Sequence, residues 1–132
     1  MDDVGLGSAT IEKGIGMKKD FLRDYATEAF RAYAAYKHTN VTSESLRADM
    51  LAVSETLEEL DRESKLYIVQ AVEAIYFVQP RQHLKRGELT ARVHRHAITS
   101  YVAERNVYSW LKEARELFAK KRGLRCPSES LQ

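Results

Sequence analysis

Residues 88–123, ELTARVHRHAITSYVAERNVYSWLKEARELFAKKRG, decide how the rest of the chain is read. Their spacing predicts a short helix, a tight connection near Thr99–Ala103, and a longer amphipathic helix from about Glu104 to Arg122. On the longer helix Val107, Trp110, Leu111, Ala114, Leu117 and Phe118 recur every three and four residues, which makes one apolar stripe. The opposite face carries Arg105, Tyr108, Ser109, Lys112, Arg115 and Lys120. Gly123 is a natural end for this helix. Lys120, Lys121 and Arg122 complement the negative charge that accumulates there.

Working outward, three more helices are expected upstream. The most apolar segment, about Glu63 to Val78, carries Leu66, Ile68, Val69, Val72, Ile75, Tyr76 and Val78 on more than one face, so it should be the central core helix. Its β-branched residues leave a strand as the alternative. Gln79–Pro80 stops it, because proline disfavours helical backbone at the residue before it. A helix from about Glu44 to Leu60 should pack through Leu46, Met50, Val53, Leu57 and Leu60, started by Thr42 or Ser43 as cap. The first helix, about Met17 to Lys37, shows Phe21, Tyr25, Ala29, Ala32, Tyr33 and Tyr36 on one face with Phe30 nearby, a stripe suited to a core or a dimer seam. Residues 1–16 hold four of the six glycines and read as a mobile arm, with Ile11 and Ile15 as docking points. Residues 125–132 read as a disordered tail. The fold class is therefore all-α: about five helices in a single domain over residues 17–124, an N-terminal helical body followed by the two-helix unit at about 88–122.

Composition bounds the function. The 132 residues, 44% hydrophobic and 30% charged, suffice for one core without metals or disulfides. Nothing approaches the run of about 18 apolar residues that spans a bilayer, so no membrane partner is expected. The acidic start at Asp2 and Asp3 is unlike a secretory signal, and the single Cys126 cannot form an internal disulfide; both point to a cytoplasmic protein. The net charge of +2 conceals an asymmetry. Residues 1–80 hold 9 Lys/Arg against 14 Asp/Glu, and residues 81–132 hold 12 against 5. A basic end on an acidic body suits contact with a polyanion at that end.

No catalytic pattern emerges. His94 and His96 fall about 200° apart around a helix axis, so they do not converge on one metal ion. His83 and Cys126 lack paired spacing, and there is no phosphate-cradling glycine loop or nucleophile elbow. The chain is not expected to be an enzyme, and no cofactor or metal is implied.

The segment Tyr101–Leu111 resembles the GVSxxTVxxxL pattern of helix-turn-helix proteins. Val102 matches the buried turn aliphatic, Val107, Trp110 and Leu111 the core positions of the second helix, and Ala97 the small residue where the helices cross. Tyr101 stands where glycine is usual, Ala103 where a capping serine is usual and Asn106 where threonine is usual, which predicts a longer or differently closed turn. Over about residues 54–124 the order of elements is similar to the region-4-type DNA-reading domain of sigma factors and to phage late-gene transcription regulators. The stretches 103–108, 117–119 and 123–124 are the most family-like.

The resemblance implies a sequence-specific, phage- or prophage-derived transcription regulator that binds double-stranded DNA, with RNA polymerase and a second copy of the chain as further candidate partners. Under it, Arg105, Tyr108 and Ser109 would face base edges in the major groove, and Lys85, Arg86, Arg92, Lys112, Arg115, Lys120 and Lys121 would meet phosphates. The competing reading of Arg105 is a salt bridge to Glu104 or Glu116. Two other functions fit the same sequence: a helical protein-interaction module without DNA, and a small-terminase-like DNA-packaging subunit.

Overall fold

The computed structural model describes residues 14–124, with side chains from residue 21 onward. It is all-helical among the described residues: α1 (Gly14–Tyr36), α2 (Glu44–Arg62), α3 (Leu66–Tyr76), α4 (Glu88–Ser100) and α5 (Glu104–Arg122). The arm expected over residues 1–16 falls outside the described residues up to residue 13, and Gly14 to Gly16 already belong to α1. The expected tail, residues 125–132, also lies outside them.

Local chemistry sets most of the boundaries. Ser43 has extended backbone, and its Oγ accepts from the Leu46 amide at 3.2 Å, which caps α2. At the other end of α2, Ser64 takes a positive φ of 63° and the Lys65 amide returns to the Leu60 carbonyl at 2.8 Å. That reversal explains why α3 begins at Leu66, three residues later than expected. It ends at Tyr76, two residues earlier than expected, and Gln79 at φ 48° turns the chain ahead of Pro80. Gly87 (φ 81°) and Gly123 (φ 85°) supply the left-handed backbone before α4 and after α5.

The core forms where α5 meets the other helices, all four of which it touches. Val107, Leu111, Ala114 and Phe118 of α5 are buried against Val53 and Leu60 of α2, Ile68, Val72, Ile75 and Tyr76 of α3, and Val93 and Ala97 of α4. Phe30 of α1 inserts between Tyr76, stacked at 5.6 Å, and Phe118, tilted at 5.7 Å. The buried face of α1 is therefore Ala26, Ala29 and Phe30, rotated from the expected stripe; Phe21 is 62% exposed. Two small alanines let α1 approach closely, while Tyr25 and Tyr33 stay at the rim, where a hydroxyl can keep a polar partner. The Tyr25 hydroxyl donates to Asp49 of α2 at 2.9 Å, and Arg122 Nε of α5 reaches the same carboxylate at 2.7 Å, so one acid joins three helices. Burial, then the Asp49 contact, push the Tyr25 phenol above its ordinary range.

Trp110 corrects another expectation. It is half-buried, not core, and presents to Tyr67 an edge-on contact at 5.0 Å. Three residues after Val107 it sits about 60° off the centre of the stripe. Leu111, Ala114 and Phe118 occupy that centre.

Arg92 is the clearest departure. It was expected on a phosphate, yet it is only 5% exposed. Its Nη1 donates to the carbonyls of Ile75 at 2.7 Å and Val78 at 3.1 Å, and its Nε pairs with Glu88 at 3.1 Å. Arg31 of α1 does the same from the other side, its Nη2 donating to the carbonyls of Gln79, Pro80 and Gln82. Together the two guanidiniums satisfy the carbonyl-rich end of α3 and hold the connector between α3 and α4.

Two predictions follow from these contacts. Arg92→Ala should lower stability by about 3–5 kcal/mol in chemical denaturation, because it leaves Glu88 and two carbonyls without their buried partner. A loss like that of a surface residue, below about 0.5 kcal/mol, would return Arg92 to the solvent face. Tyr101 is 94% exposed and held at φ 59°. Tyr101→Gly should raise stability by about 0.5–1 kcal/mol, the left-handed strain of about 1–2 kcal/mol being partly offset by the extra chain entropy of glycine. Unchanged or lower stability in urea titrations would mean that the turn does not depend on this backbone conformation.

Candidate nucleic-acid interface

The α4–α5 unit is built around a three-residue connection, Tyr101–Ala103. Tyr101 takes a left-handed conformation, which glycine adopts without strain, and the Val102 amide returns to the Ala97 carbonyl at 3.0 Å. The connection is three residues long and is closed by that hydrogen bond. A solvated tyrosine adopts the same backbone at a cost in strain. Ala103 has the extended backbone of a helix cap but no side-chain oxygen to fill the role. Across the turn, His94 Nδ1 of α4 contacts the Glu104 carboxylate on the first residue of α5. Glu104 also lies where the helix dipole favours a negative group.

Arg105, Ser109 and Lys112 are exposed along the outward side of α5, and Lys120 is exposed in its last turn. Among the described residues none pairs with the Arg105 guanidinium, neither Glu104 nor Glu116. Tyr108 lies about 60° around the helix from Arg105, at the edge of the outer face on the side of Arg115. It is 44% exposed and lines a cleft. Lys85 and Arg86 are exposed in the connector ahead of α4. Arg95, exposed on α4, was missed in the sequence. It follows buried Val93 by two residues, the same offset that takes Arg105 to the face opposite Val107, so the signal was present.

Three cations expected on phosphates are engaged elsewhere. Arg92 is buried, as described. Lys121 Nζ sits 2.5 Å from Glu59 Oε1 of α2, on the side of α5 away from Arg105, and this hydrogen bond holds the Glu59 carboxyl below its usual range. Arg115 donates through Nη1 to the Tyr76 hydroxyl at 2.9 Å and lines the cleft that also contains Asp24 and Glu28. The same cleft is lined by Arg23, so its two carboxylates are matched by two guanidiniums. Arg122, next to Lys121, is likewise tied to Asp49. Glu113, which would interrupt the outer face, is drawn aside by Lys65 of α3 at 2.6 Å. That carboxylate raises the Lys65 ammonium above its usual range.

The cleft, of about 460 Å³, runs between α1 and the α4–α5 unit. Its floor is apolar, from Ile75, Leu84, Leu89, Val93 and Leu111, and its rim is polar. Among the described residues no three His, Cys, Asp or Glu side chains gather as a metal site needs, and no helix is long and apolar enough to cross a membrane. No known protein family, no curated protein and no solved structure matches this chain.

Proposed function

We propose that the chain binds double-stranded DNA through α4 and α5, reads sequence with the start of α5, and regulates transcription. The observation that carries the reading is the disposition of cations on either side of the Tyr101–Ala103 turn. Arg95, Arg105 and Lys112 project to solvent and pair with no described residue, while Arg92, Arg115, Lys121 and Arg122 of the same basic third are held within the protein. Arg105 and Ser109, one turn apart at the start of α5, are the base-reading pair; an arginine there can donate two parallel hydrogen bonds to guanine. Lys85, Arg86, Arg95, Lys112 and Lys120 bind phosphates and set the register without reading sequence.

With about five phosphates neutralised, log affinity should fall with log salt at a slope of about −4.5, from roughly −0.9 per phosphate. A flat response in a duplex titration would remove DNA from the reading and favour a helical interaction module. Specificity is tested on a selected duplex and a scrambled one at one salt concentration. Arg105→Ala should lose about 1–3 kcal/mol on the selected site and little on the scrambled one, whereas Lys112→Ala should weaken both alike. Lys121→Ala, with its ammonium on Glu59, should leave both affinities unchanged. Equal losses on the two duplexes for Arg105→Ala would move it to the phosphate group of residues.

A further inference from the structure

We propose that the cleft between α1 and the α4–α5 unit is a binding site for a small zwitterion with an apolar body, a ligand of the amino-acid class. Its volume of about 460 Å³ lies within the range of small-molecule sites, about 300–1,000 Å³. The chemistry of its two walls selects the ligand. Asp24 and Glu28 stand one helical turn apart on α1, and Arg115 stands across the cleft on α5. These opposite charges do not close on one another. Arg115 directs Nη1 to the Tyr76 hydroxyl, and Asp24 meets its neighbour Arg23 at 3.6 Å.

The lining holds two guanidiniums, Arg23 and Arg115, and two carboxylates, Asp24 and Glu28, so its formal charge is zero and it favours neither a polyanion nor a polycation. A purely apolar molecule would bury charged groups without giving them partners, which is costly. A zwitterion satisfies both walls. Its ammonium faces Asp24 and Glu28, its carboxylate takes the remaining guanidinium donors of Arg115, and its side chain covers the apolar floor at Leu89, Val93 and Leu111. The site stands whether or not the α4–α5 unit meets DNA.

The test is a titration of the full ¹⁵N-labelled chain, without DNA, with L-phenylalanine and L-leucine, followed by amide chemical shifts. At least one should give saturable shifts confined to Thr27, Thr90, Val93, Tyr108 and their neighbours, with Kd at or below about 1 mM. Phenethylamine and 3-phenylpropanoate, each keeping one charge of phenylalanine, and 4-methylpentanoate and isoamylamine, the leucine counterparts, should bind at least about tenfold more weakly than the parent amino acid, about 1.4 kcal/mol. Glu28→Gln should weaken binding severalfold while the thermal melt stays in place. The proposal is overturned by no saturable shift with either amino acid, by shifts centred elsewhere, by single-charge analogues that bind as tightly, or by a Glu28→Gln chain that is folded and binds equally well.

Discussion

Two buried guanidiniums at the end of α3 hold the architecture in register. A helix that ends inside a protein leaves carbonyls without partners, and the turn from α3 through Pro80 adds more. Arg31 reaches them from α1 and Arg92 from α4, so the segment between α3 and α4 is fixed by side chains rather than by its own backbone. The arrangement places two cations near one another away from water. Burial above all lowers the Arg31 guanidinium from its ordinary range, with Arg92 adding to the effect, and Arg31 Nη1 is left without a partner. Glu88, at the start of α4, offsets the charge of Arg92. Because Arg92 lies on α4, the same contacts set how α4 leans on α3, and through the short turn how α5 is presented.

Periodicity makes much of this legible in the sequence, and the differences have two causes. The α4–α5 boundaries were legible because Gly87, Gly123 and a clean apolar stripe mark them. The buried side of α5 followed from Val107, Leu111, Ala114 and Phe118 alone. What spacing could not show was where long cationic side chains end. Arg92 directly precedes Val93 and lies at the edge of the buried face, where a four-atom stem can bring its head inward. Arg115 directly follows buried Ala114 and lies likewise at an edge of the buried face. Both were assigned to solvent because their residue type is charged, whereas their partners, backbone carbonyls and a tyrosine hydroxyl, leave no mark in a charge pattern. The rotation of α1 has a different origin. Aromatic residues were counted as core, but Ala26 and Ala29 are the ones whose small size admits Phe30 to the centre.

The charge asymmetry also has a different meaning in three dimensions. Part of it is consumed where the acidic body and the basic third touch, at Lys121–Glu59 and Arg122–Asp49, whereas Lys65–Glu113 pairs a cation of the body with an acid of the basic third. Such partly exposed pairs contribute little stability individually. Their larger effect is to sort the cations, so that positive charge without a partner collects near the α4–α5 turn and the connector before α4.

The position of α5 in the chain has a consequence for how the molecule comes to be folded. Every other helix buries its apolar face partly against α5, yet α5 is the last described helix in sequence. During synthesis the first four helices emerge with their shared surface open to water; α1 lacks its Phe118 contact and α2 its packing surface until α5 arrives. Contacts between such distant parts of the chain slow folding and prolong the life of exposed apolar surface. The nascent chain therefore passes through an unsealed stage, during which chaperone capture competes with the docking of a single helix.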